Sequence, residues 1–155
     1  MEQNSSTPDR GLLDALRRQR AELRGSMGAL EDALAGPAPQ GHARWAERVH
    51  VALVELSADF REHVEVTEGQ GGLYGDLLAT APRLSGAVTS LSREHTQIRE
   101  LIDGLIDRAR TSEGREDVDG VRRLGTALLG LLVRHRQRGS DLVYEAYELD
   151  IGGET

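Results

Sequence analysis

The chain contains no cysteine in 155 residues. That excludes a disulfide framework and any thiolate metal site. Aromatic residues make up only 3% of the chain, too few for a platform on which single-stranded bases could stack. Basic residues are in deficit, 19 against 26 acidic, giving a formal charge of −7. A general nucleic-acid binder carries a basic face, so no nucleic-acid partner is expected. No apolar run approaches the ~18 residues of a transmembrane helix. Met1 to Asp9 is polar and lacks the apolar stretch of a secretory signal. The expectation is a soluble cytoplasmic protein with no membrane partner. Its length suits one domain whose core is large enough to fold without covalent staples.

What the chain does have is helical periodicity. Apolar residues recur at steps of three and four on four long segments, the period of one helix face. Leu13 and Leu16 lead to Arg20, and Leu23, Met27, Leu30 and Leu34 follow. Val49, Leu53, Leu56 and Phe60 lead to His63. Leu84, Val88 and Leu91 lead to His95, and Ile98, Ile102 and Leu105 follow. Val121, Leu124, Leu128 and Leu131 lead to His135. Each stripe thus contains one strongly polar residue at a position that faces the core.

The breakers divide the segments. Residues 1–10 read as a flexible N-terminus, in which Thr7 or Asp9 fits as a cap. The first helix is predicted from about Gly11 to Ala35 and is ended by Pro37 and Pro39. The second runs from about His42 to Glu68, with Trp45 closing the far end of the core. Gly69–Gln70–Gly71–Gly72 is a clear breaker. Leu73 to Thr80 forms a short helix or an ordered loop. The third helix runs from Pro82, well suited to a first turn, to Thr111. After a turn at 112–114, the fourth runs from Arg115 to Arg138. Gly139–Ser140 is expected to interrupt it, leaving Asp141 to Leu149 as a further helical piece and 150–155 as a tail. The reading is an all-α fold, an antiparallel up-down-up-down four-helix bundle over residues 11–149.

An internal repeat supports two helical hairpins. An offset of 75 places Arg20 on His95 and Leu23 on Ile98; an offset of 72 places His63 on His135 and Leu56 on Leu128. In the antiparallel topology the polar residues of all four stripes meet at one level. Imidazole is the commonest metal ligand among side chains, and bundle cores commonly hold metals. Candidate ligands are His63, His95 and His135, with Glu68 and Asp141 as carboxylates that follow two of them. Glu65, Glu94 and Glu145 are further candidates that read as more exposed. Tyr74 and Tyr144 follow the two acidic segments and are candidates to line the site. Nitrogen and oxygen donors without sulfur suit iron(II), manganese or zinc. His42 and His50 fall off the stripes and read as surface residues. Arg134, Arg136 and Arg138 read as a solvated cluster that complements the helix dipole.

The ordered set His63 with Glu68, then His95, then His135 with Asp141 resembles the hemerythrin family, also called the HHE cation-binding domain. The resemblance covers roughly Leu12 to Leu149. It implies an antiparallel four-helix bundle with a non-haem iron centre near one end, and a role in iron, dioxygen, nitric oxide or peroxide handling. At the family's first-helix histidine position this chain carries Arg20, which has no lone pair to give a metal. Arg99 stands where a second third-helix histidine would fall. The resemblance therefore implies one ion in preference to two, held by His63, His95 and His135 with Glu68 or Asp141. Arg20 then pairs with a carboxylate or holds an anionic ligand beside the metal. Two other readings stay open. One is a metal-free bundle whose arginine and histidines bind a small anion or brace the core. The other is an enzyme that uses the same metal to activate dioxygen.

Overall fold

The apolar period sets the helices and the breakers set their limits. The structure, a computed structural model, describes residues 10–38, 42–111 and 115–149. Helix α1 spans Arg10–Ala35, α2 His42–Glu68, α3 Leu73–Thr80, α4 Ser85–Arg110 and α5 Arg115–Val143. A 3-10 turn, Pro82–Leu84, leads into α4, and a π-helical segment, Tyr144–Leu149, follows α5. Among the described residues there is no strand. The expectations for Met1 to Asp9, for Pro39, for the 112–114 turn and for the 150–155 tail lie outside the described residues.

Helices α1, α2, α4 and α5 form the antiparallel four-helix bundle. Each of α1 and α4 packs against both α2 and α5, so α2 and α5 face each other across the core. At the end of α1, the Gly36 N–H bonds to the carbonyls of Asp32 and Ala33, and Pro37 follows. The last carbonyls of α1 would otherwise lack partners. Arg122 of α5 supplies them, donating from Nε to Leu34 O at 3.0 Å and from Nη2 to Gly36 O at 2.8 Å. Its guanidinium also lies 5.3 Å over the ring of Trp45, which is fully buried at this end.

The glycine turn after α2 decides what covers the other end. Gly71 adopts φ +75°, a conformation that side chains disfavour. A Cβ on Gly72 would come within 2.8–2.9 Å of three carbonyl oxygens. The tight reversal lays α3 over the bundle, so the helical alternative for residues 73–80 is the one realised.

Helix α5 does not break at Gly139–Ser140 but continues to Val143. A helical glycine costs about 1 kcal/mol relative to alanine. Burial of Leu142, Ala146 and Tyr147 beyond it offsets that cost. Two stripes also settle slightly differently from their prediction. On α1 the buried face runs through Gln19, Leu23, Ser26, Met27, Leu30 and Leu34, and Arg20 is exposed. On α5, Leu132 is buried and Leu131 only partly so.

The core is in two parts. The larger cluster fills the bundle from Trp45 to Phe60, with Leu30, Leu53, Ile98 and Leu128 fully enclosed. A smaller cluster joins α3, the start of α4 and the end of α5 through Leu73, Leu77, Val88, Leu91, Leu142 and Tyr147. The Tyr147 hydroxyl ties the π-helical segment to α3, donating to Asp76 Oδ2 at 2.6 Å.

No helix of the described residues is long and apolar enough to cross a membrane. Replacement of the fully enclosed Leu30 by alanine should lower the unfolding free energy by about 2–5 kcal/mol in denaturant titration. A loss below ~1 kcal/mol would contradict the packing described here.

Candidate metal centre

Between the two apolar clusters lies a layer of imidazoles. His63 comes from α2, His95 from α4 and His135 from α5. One ring nitrogen of each lies within 4.8 Å of those of the other two. His95 and His135 are buried, and His63 is half-buried. Phe60 forms a floor on the side of the larger core: it stacks on His63 with centroids 5.5 Å apart and meets the other two rings edge-on. Tyr74 covers His95 from α3, with rings nearly parallel at 5.8 Å.

Each imidazole is held from outside through Nδ1. His63 Nδ1 lies 3.2 Å from Gln19 Oε1. The Gln19 amide is itself oriented, because its Nε2 donates to the Asp59 carbonyl at 3.0 Å. His135 Nδ1 lies 2.6 Å from Glu94 Oε1, and the other oxygen of Glu94 pairs with Arg138 at 2.5 Å. His95 Nδ1 lies 2.5 Å from Glu68 Oε2. All three outer partners are acceptors, so each Nδ1 carries the hydrogen and donates it. Each Nε2 is left with its lone pair directed inward. His63 Nε2 and His135 Nε2 then face each other at 3.2 Å, and His95 Nε2 accepts a long hydrogen bond, 3.4 Å, from the Tyr74 hydroxyl.

The electrostatics keep the rings neutral. Burial, and then the neighbouring imidazoles and Arg20, bring the His63 pKa down to about 3. Burial, then His135 and Arg99, bring that of His95 down to about 3. Burial also lowers that of His135, against the opposing pull of Glu94. Burial pushes the Tyr74 hydroxyl well above its ordinary value, so it stays a donor.

The structure places the sequence candidates unevenly. It brings His63, His95 and His135 together. Glu68 stands behind His95, on Nδ1, and does not reach the shared centre. Asp141 is exposed and accepts from Gln137 Nε2 at 3.0 Å on the surface of its own helix. An inward turn of Asp141 required a break at Gly139. On the continuous helix, six residues after His135 is about 240° round the axis. Arg20 is also exposed, donating to Ser140 Oγ at 3.2 Å, so it is not the fourth member of the buried layer. Gln19, one residue earlier, takes that place. A neutral amide costs less to bury than a guanidinium with no carboxylate beside it. Tyr144 is exposed at 55%, and the π-helical segment turns Tyr147 inward instead. Tyr74 and Arg20 both line a cavity of about 190 Å³ that reaches His63 and His135.

Glu94, a further candidate in the sequence, is half-buried against His135, and Gln19 is a site residue that the stripes do not mark. The repeat contained a signal for both. The offset of 75 that sets Arg20 on His95 also sets Gln19 on Glu94, and the offset of 72 sets His63 on His135 and Glu68 on Ser140. The contacts follow these equivalences. Gln19–His63 corresponds to Glu94–His135, and Arg20–Ser140 corresponds to His95–Glu68.

Fold and site together define a helical bundle with a buried, neutral, three-imidazole cluster of the kind that takes a cation. The chain belongs to the hemerythrin family: the model of the hemerythrin HHE cation binding domain matches residues 11–147. No curated protein and no solved structure matches it.

The lowered histidine pKa values fix a sign for pH dependence. An unfolded chain binds protons at these histidines below about pH 6.5, where the folded metal-free chain does not. Stability of the metal-free protein should be full above pH 6.5 and fall as pH drops toward 3, by up to ~1.4 kcal/mol per pH unit for each histidine. Denaturant titrations across that range check it. Stability that rises on acidification from pH 6.5 would contradict the burial of neutral rings.

Proposed function

We propose that this chain holds a single metal ion, iron in its working form, on Nε2 of His63, His95 and His135. The observation that carries this reading is the orientation of the rings. Each Nδ1 is engaged outward, so the Nε2 lone pairs converge, and the long Tyr74–His95 hydrogen bond gives way when a metal takes the His95 lone pair. Two of them stand 3.2 Å apart. A cation shared by both nitrogens satisfies that arrangement, and burial opposes an added proton there. Two nitrogens at 2.0–2.1 Å from one ion, about 100° apart, are separated by about 3.2 Å. That pair of nitrogens therefore fits a first-row metal. It admits zinc or manganese as well as iron, which is assigned from the family resemblance.

Two metals fit less well. At the equivalents of His95 and Glu68 the chain carries Arg20 and Ser140, a cation and a neutral hydroxyl. Glu68 and Glu94 then serve as hydrogen-bond partners of ligating imidazoles, which fix ring orientation and raise ligand basicity. Phe60 shields the centre from the core side, and Tyr74 keeps a proton at its hydroxyl beside His95. A metal with open positions supplies Lewis-acid or redox chemistry toward a small ligand such as dioxygen, nitric oxide or peroxide.

Metal analysis after anaerobic loading with ferrous iron tests the reading. About one ion per chain is expected. His63→Ala, His95→Ala and His135→Ala should each abolish uptake. Glu94→Gln should weaken affinity by about 10- to 100-fold while leaving a folded helical protein. Iron content that survives the triple histidine substitution would overturn the reading, and a metal-free Arg/His pocket would replace it.

A further inference from the structure

The cavity beside the histidines differs in charge from the rest of the chain. The protein is acidic, at −7. Yet the cavity is lined by Arg17, Arg20 and Arg136 and by no aspartate or glutamate. Most of the remaining wall is apolar, with Leu13, Leu16 and Leu23 of α1 and Val143 of α5, beside neutral polar groups such as Gln19 and Thr67. Its volume, about 190 Å³, is below the ~300–1,000 Å³ of pockets for drug-sized ligands.

These features restrict the occupant. A cation meets the guanidinium groups of Arg20 and Arg136; that of Arg17 is already paired with Asp14. A bare inorganic anion leaves the leucine wall unused. A neutral apolar molecule leaves Arg20, which meets only the neutral Ser140 hydroxyl, without an anionic counterpart. A guanidinium presents N–H groups in a planar fork that matches the two oxygens of a carboxylate. We propose that the cavity binds a small monocarboxylate with a short aliphatic chain, its carboxylate held by Arg20 and its chain against Leu13, Leu16 and Leu23. This assignment deepens the metal reading, because the same cavity opens on His63 and His135. Arg20 then acts as the specificity residue where the internal repeat would place a second His95.

Calorimetric titration of hexanoate, acetate and hexanol into zinc-loaded and metal-free protein tests the proposal. Hexanoate should bind saturably at one per chain, at least tenfold more tightly than acetate or hexanol. Arg20→Gln should weaken hexanoate at least tenfold and leave zinc stoichiometry unchanged. Gln keeps helix propensity at an exposed position, so folding is preserved. Hexanol binding as tight as hexanoate, or hexanoate binding indifferent to Arg20→Gln, would overturn it. The two readings fail separately. A chain that takes up no zinc yet binds hexanoate through Arg20 overturns the metal reading alone. A chain that holds zinc on its histidines but shows no Arg20-dependent hexanoate binding overturns the carboxylate assignment alone.

Discussion

The organisation of this bundle rests on one constraint: an imidazole buried between apolar clusters has two ring nitrogens to satisfy. An unmet polar atom at such depth costs about 1–3 kcal/mol. The outer nitrogen of each ring is met by a residue from a neighbouring helix: Gln19 for His63, Glu68 for His95, Glu94 for His135. These contacts tie α1 to α2, α2 to α4 and α4 to α5. They also fix the tautomer, and with it the direction of the remaining lone pairs. The inward face of the layer is thus a consequence of its outward bonding.

The layer sits between two clusters. The larger, from Trp45 to Phe60, gives the bundle its rigid body. The smaller, built from α3 and the end of α5, closes the site end and depends on the glycine turn at Gly69–Gly72 and on Tyr147 bonding Asp76. The site is approached from the side between α1 and α5, where Arg20 and Ser140 meet. That side is the altered half of an internal two-fold relation. One half carries His95 with Glu68; the other carries Arg20 with Ser140, and cavity space lies beside it.

Much of this was legible in the sequence because helices report their buried face directly. The long helices, their breakers, and the convergence of His63, His95 and His135 follow from the three-and-four period and an antiparallel topology. Local pattern is ambiguous where neighbouring positions compete. Gln19 and Arg20 both lie next to Leu16 and Leu23 in phase, and the choice between them is made by burial energetics in the assembled bundle. An inward Asp141 needs a helix end at Gly139, which tertiary packing overrides, and Tyr144 follows it in sequence but lies on the exposed face. Glu94 looked exposed because its stripe neighbour is His95. Its partners, His135 and Arg138, lie on another helix and are invisible to a local pattern.

The most direct test of the account is long-range nitrogen-15 NMR of the histidine rings in the zinc-loaded protein. The account predicts that His63, His95 and His135 each carry hydrogen on Nδ1 and metal on Nε2. A hydrogen on Nε2 of any of the three, or metal on Nδ1, would contradict it.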